Sequence, residues 1–198
     1  MRLATLILLF VTQALAQATQ PMTFQQLQSG EWQGKNITSK EILAYVVEFE
    51  STHTRFAHDY YFKRQGIIPN GLEDFELPPL PRLQKEPPIP MTGGKVLWVQ
   101  FVDGTEWGEH ALGEKLLSIR QPMLHLISQM IDAYGRGGEE GFSQYLATAK
   151  TSADATESGF ATHIWIMQQQ SGTEGAVGHL KVRLQSAAKH DKTLLESK

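Results

Sequence analysis

The sequence predicts an α+β protein, with an N-terminal antiparallel β-sandwich-like unit over residues 19–108 and a C-terminal helical segment over 109–198. Three observations predict this. Aromatic and β-branched runs with period-two alternation, such as Ile42-Leu43-Ala44-Tyr45-Val46-Val47-Glu48-Phe49, lie before Gly108. Pro and Gly break those runs. After Gly108, apolar residues recur at intervals of three and four, the spacing of one helix face.

The first 18 residues read as a cleavable signal peptide. Arg2 supplies the basic start and Leu3 to Val11 the apolar run. Ala14-x-Ala16 and Ala16-x-Ala18 both fit the cleavage pattern, and the second is preferred. The apolar run stops short of the roughly 20 residues that cross a bilayer. No later stretch approaches that length, so no stable membrane span is expected after cleavage. There is also no cysteine behind the signal to carry a lipid.

Loss of Arg2 leaves 17 basic against 21 acidic residues, a net charge of -4. That mild acidic excess gives no footprint for nucleic acid or anionic lipid. A mature chain of this length buries roughly 70% of its unfolded surface and needs no staples. The absence of cysteine fits a bacterial secreted or periplasmic protein better than an animal secretory one. The sequon Asn36-Ile37-Thr38 would matter only in a eukaryote and is discounted.

The strands follow in order. A short one is expected around Glu31-Trp32-Gln33. The next, Ile42 to Phe49, places Leu43, Tyr45, Val47 and Phe49 on one face, as a half-buried strand does. Arg55 to Phe62 is a second clear strand, rich in aromatics. A proline-rich passage over 77–92 excludes helix and cannot donate to a ladder, so it reads as an extended crossover beside the sheets. Val96 to Val102 is a third clear strand, with Leu97, Val99 and Phe101 alternating with Val96, Trp98 and Gln100. Asp103-Gly104 then makes a tight turn, and Thr105 to Gly108 a short return.

The helical part opens with the stripe Leu112, Leu116, Ile119, Met123, Ile127, Ile131 and Tyr134. Pro122 should kink or split it. Gly135-Arg136-Gly137-Gly138 is a stop, followed by a helix from Glu139 to about Ala149 with Phe142, Tyr145 and Leu146 inward. Phe160 to Gln170 is a further helix, and Ser171-Gly172 breaks it. Val177, Leu180, Leu184 and Ala188 mark the last helix, and the charged tail from His190 should fray.

Candidate chemistry is sparse. His58-Asp59 resembles the paired ligands of metal-dependent phosphohydrolases, but it lies in a strand, not on the helix that such a pair needs. His53 and His58, five apart, would point to opposite faces. Glu106, Glu109, His110 and Glu114 are the densest group of possible ligands, with His110 and Glu114 at helical i, i+4 spacing. The ordinary reading is a solvated first turn whose acids suit the helix dipole. Ser152, Asp154 and His163 have the residue types of a catalytic triad without any spacing that supports one. No catalytic, cofactor-binding or metal residues are assigned.

The most distinctive strings are Asn36-Ile37-x-x-Lys40-x-Ile42-x-Ala44-Tyr45 and Val99-x-Phe101-x-Asp103-Gly104-x-x-Trp107-Gly108. Through them, residues 36–108 resemble a group of uncharacterised exported bacterial proteins. In those proteins a β-sandwich-like portion carries an F-x-D-G-x-x-W-G segment ahead of variable helical sequence. The resemblance implies a fold and confers no activity or functional residue.

The expectation for function is a non-catalytic exported binding or interaction module, its partner a protein or envelope ligand. Two alternatives are an envelope hydrolase using His110 with Glu106, Glu109 or Glu114, and a structural or assembly protein. An exposed apolar stripe on the C-terminal helices would favour the last.

Overall fold

The computed structural model describes residues 19–28, 31–49, 54–75 and 93–196. The signal peptide, the proline-rich crossover over 77–92 and His53 lie outside those residues. Among the described residues the chain forms two antiparallel sheets and then two long helical elements.

The strands are β1 (Met22–Gln26), β2 (Trp32–Asn36), β3 (Ile42–Phe49), β4 (Thr54–Asp59), β5 (Leu72–Phe75), β6 (Gly94–Phe101) and β7 (Glu106–Gly108). One sheet has the order β1-β2-β5 and the other β4-β3-β6-β7. In seven-strand immunoglobulin-type sandwiches the fourth strand belongs to the first sheet. Here β4 pairs with β3 in the second.

The core between the sheets is built from alternate residues of β3. Leu43, Tyr45, Val47 and Phe49 face Met22, Trp32 and Phe75, all buried. Phe75 stands 5.8 Å from Tyr45 and 5.4 Å from Phe49, both edge-on, the arrangement that aromatic quadrupoles favour.

The strand expected over Arg55 to Phe62 ends at Asp59, where the chain turns, and two expectations about strand faces also change. First, β3 is buried on both faces rather than one. Of its other residues, Ala44 and Val46 join Trp98 beneath Leu112, Leu116 and Leu117. A helix covers the face that alternation alone leaves to solvent. Second, the parity of β6 is broken. Val46 pairs with Trp98 but Val47 with Val96, so Leu97 is an extra residue in the ladder. This bulge moves Val96 to the sandwich side with Val99 and Phe101, and puts Leu97 beside Trp98 on the helix side.

The contact of sheet with helix depends on Gly113. A Cβ there would lie 2.1 Å from the Trp98 ring, so only glycine lets the indole lie against the helix backbone.

The first helical element, α1 (His110–Ala149), is two arms meeting at Gly138, whose φ of 59° and ψ of −144° are not helical. The arms fold back on each other. Tyr145 Oη donates to Gln129 Oε1 at 2.7 Å, whereas sixteen residues of straight helix would separate them by about 24 Å. The second, α2 (Ala155–Glu196), reverses likewise at Gly172, with φ 74°. Arg183 then lies 5.4 Å over the Phe160 ring. The four arms enclose a second core of Ile127, Met130, Phe142, Leu146, Ile164 and Leu180. None of the seven stripe residues from Leu112 to Tyr134 is exposed.

Pro122 does not split its helix. It lies on the exposed side with Ser118, whose carbonyl loses its usual donor. The tail does not fray at His190 either. That residue is buried, and α2 continues to Glu196.

Candidate functional site

Most polar groups that stand out in the sequence are matched within the protein. Asn36 is fully buried. Its Nδ2 donates to the carbonyls of Lys40 and Ile67, both at 2.8 Å, and its Oδ1 accepts from Thr38 N and Oγ1. The first distinctive string is therefore a corner held by one amide. In the second, Gly104 has φ 80°, and Asp103 accepts from Thr105 and pairs with Lys40 at 2.6 Å. Trp107 pairs with Val99, and Gly108, with φ 91°, lies against the Leu97 carbonyl.

His58-Asp59 divides between two clusters. Asp59 receives a two-pronged bond from Arg120, at 2.8 and 2.9 Å, and accepts from Tyr61 N at 2.9 Å. Arg120 lies 4.5 Å over the Tyr61 ring, and Tyr61 Oη donates to Asp191. Burial, then the Asp191 bond, pushes that phenol up. His58 instead faces Tyr45 and Tyr60, and its Nε2 lies 2.8 Å from Lys63 Nζ. Burial, then the Lys63 charge, holds His58 below the usual histidine value. Burial and Glu73 push the Tyr45 and Tyr60 phenols up, so both remain protonated.

Glu106, His110 and Glu114 do come together. His110 Nδ1 is 2.5 Å from Glu106 Oε2, and its Nε2 is 3.7 Å from Glu114. Glu106 Oε2 also accepts from Trp98 Nε1 at 3.0 Å. The Glu106 bond is the main cause that raises the His110 value. Glu109 is exposed and makes a backbone bond to Leu97 O. Among the described residues no group of three ligands is placed to hold a metal.

Ser152, Asp154 and His163 do not converge by hydrogen bonds. Ser152 Oγ donates to Glu157 Oε2 at 2.6 Å. Asp154 Oδ1 accepts from Thr156 N and Glu157 N at 2.7 and 3.1 Å, the capping of a helix start. His163 is exposed on α2.

Two adjoining hollows open where α1 hands over to α2. The first, of about 340 Å³, is lined by Tyr145, Thr148, Ala149, Thr151, Ser152 and Glu157. The second, of about 310 Å³, is bordered by Pro122, Met123, His125, Leu126 and Gln129 from α1, and by Asp154, Thr156 and Glu157. Glu157 is thus common to both. Burial, then the Glu157 charge, pushes the Tyr145 phenol up, so it stays a donor, and its proton goes to Gln129.

Sequence reasoning saw Ser152 and Asp154 but missed Glu157 and Tyr145 as neighbours. One signal was available. Asp154-x-x-Glu157 has capping-box spacing and marks the start of α2.

No helix among the described residues is long and apolar enough to cross a membrane. No family model, curated protein or solved structure matches the chain.

Proposed function

We propose that this chain is a non-catalytic binding protein whose recognition surface is the pair of hollows around Glu157. The observation that carries this reading is their adjacency. Two hollows of about 340 and 310 Å³, the first the more polar of the two and the second largely apolar, share a single carboxylate. Each lies at the lower end of the roughly 300–1,000 Å³ typical of small-ligand sites, and together they offer separate places for a polar and an apolar group. The Ser152 bond to Glu157, instead of to a histidine, supports binding over acyl transfer. No residue of the α1 stripe is exposed, which supports binding over pairing with another chain through that stripe, while Trp165 and Ile166 on α2 are exposed.

Work outside the cytoplasm belongs to the same proposal. It rests on residues 1–18 and on the resemblance of residues 36–108 to exported bacterial proteins. A mature N-terminus at Gln17 or Thr19 in the extracytoplasmic fraction is the expected result of N-terminal sequencing. Retention of Met1 would overturn it.

The binding reading is tested by NMR on the labelled mature chain with a fragment panel of mixed charge. Shifts confined to residues 122–129 and 145–157 are expected. A panel that perturbs only the sandwich, or nothing, would overturn the reading.

A further inference from the structure

We propose that the first hollow takes a primary ammonium group, with an attached apolar group lying in the second. The inference rests on the binding reading above and adds the chemistry of the ligand.

Every hydroxyl lining the first hollow already donates to a protein acceptor. Ser152 Oγ donates to Glu157 Oε2 at 2.6 Å, and Tyr145 Oη to Gln129 Oε1 at 2.7 Å. Thr148 Oγ1 donates to Gln144 O at 3.1 Å, and Thr151 Oγ1 to Thr148 O at 2.8 Å. A hydroxyl has one proton and two lone pairs. What these four groups still offer a ligand is lone pairs. Glu157 adds a negative charge, and no hydrogen bond from a described residue occupies its Oε1.

Among the described residues no lysine or arginine lines either hollow, and His125 lines the second. Lys150, next in sequence to Thr151, is held 3.7 Å over the Trp165 ring. The first hollow is therefore an acceptor-only surface with a net negative charge.

An ammonium group is the complement of that surface, with three donors, no acceptor and a positive charge. A carboxylate or phosphate would meet only lone pairs and like charge. A neutral alcohol could donate once but would leave the carboxylate uncompensated. On the other side of Glu157, Pro122, Met123 and Leu126 give an apolar wall for the rest of the ligand, beside His125, Asp154 and Thr156. The same ammonium chemistry could come from a small free amine or from a lysine side chain.

The test uses the mature chain and four probes, namely phenethylamine, 2-phenylethanol, 3-phenylpropionate and Nα-acetyl-lysine amide. Affinity is read from NMR shifts at residues 122–129 and 145–157. Phenethylamine should bind at least tenfold more tightly than 2-phenylethanol, and 3-phenylpropionate should be weakest. The amine's advantage should shrink as salt is raised. Glu157→Gln should abolish the advantage, with its fold checked by thermal unfolding. If that variant does not fold, the salt dependence in the unmodified chain decides.

Binding of acetyl-lysine amide as tightly as phenethylamine would support the ammonium site and assign it to lysine side chains. Weaker binding would support a free amine. Binding of the alcohol or the carboxylate to these residues as tightly as the amine would overturn the inference and leave the binding reading standing. No shift at these residues with any probe would overturn both.

Discussion

The sandwich and the junction of the helices treat hydrogen bonding in opposite ways. In the sandwich, several key donors and acceptors close on one another, although Trp32 Nε1, Tyr60 Oη and Gln100 Oε1 are buried without a partner among the described residues. Asn36 uses both ends of its amide, and Asp59 takes a two-pronged guanidinium and a backbone N–H. At the junction, four hydroxyl protons are directed to protein acceptors while lone pairs and a carboxylate face open space. A closed network fixes a structure, and a surplus of one kind of group marks where something from outside can add the other.

The largest expected effect breaks the closed side. Arg120→Ala leaves Asp59 as an uncompensated, mostly buried carboxylate, since the two side chains are 8% and 15% exposed. A loss of about 3–5 kcal/mol is expected in urea unfolding. A loss below about 1 kcal/mol would mean that the pair is not what fastens α1 to the sheet.

Next is Gly113→Ala. Its new methyl would meet the fully buried Trp98 ring, and overpacking of this kind costs about 1–3 kcal/mol. Tryptophan emission should shift as the indole is displaced. An unchanged spectrum and stability would show that the helix moves freely over the sheet.

A smaller effect is a dependence on pH. His58 is held below the ordinary value near 6.5, by burial and then by Lys63, while Glu73 and Asp59 pull the other way. Tyr45 and Tyr60, the rings beside it, stay neutral. The unfolded chain therefore binds this proton first as pH falls. The stability that His58 contributes is present above about pH 6.5 and is lost as pH drops toward its folded value. His58→Gln should flatten that part of the stability profile, and an unaltered slope would contradict the assignment. His110 has the opposite sign. Its raised value means a contribution present below about pH 6.5 and lost as pH rises through the folded value. Its exposure to solvent and salt keeps that contribution small.

The smallest effect belongs to the open side. Glu157→Gln should alter stability by less than about 0.5 kcal/mol, since its one clasp with Ser152 is partly solvated. A large loss would make Glu157 a structural residue and erase the contrast.

How much of this was legible differs by element. Ile42 to Phe49 was read to the residue because a buried central strand carries β-branched and aromatic side chains throughout. The reversals at Gly138 and Gly172 were marked by the glycines themselves. β1 and β5 were missed. Met22–Gln26 has two apolar residues among glutamines, and Leu72–Phe75 buries only Phe75, as edge strands with little to hide do. The bulge at Leu97 left no trace, because a one-residue slip changes faces without changing composition. His190 was assigned to a solvated tail by its charged neighbours, and its burial comes from tertiary contact. At the candidate site, the residue types at Ser152 and Asp154 were visible. Which way each proton points depends on partners such as Gln129, brought in by the reversal of α1.

The last arm of α2 has a consequence for the order in which the molecule can be completed. Ala187 belongs to the same buried cluster as β3 and β6, His190 reaches the Lys63 carbonyl, and Asp191 holds Tyr61 across 130 residues of chain. Synthesis delivers all seven strands well before these three residues. A nascent chain halted after β7 would therefore expose the seat of Ala187 and leave the Tyr61 hydroxyl without its acceptor. The front half is finished only when nearly the whole polypeptide is available, so its formation is governed by the slow closure of long-range contacts.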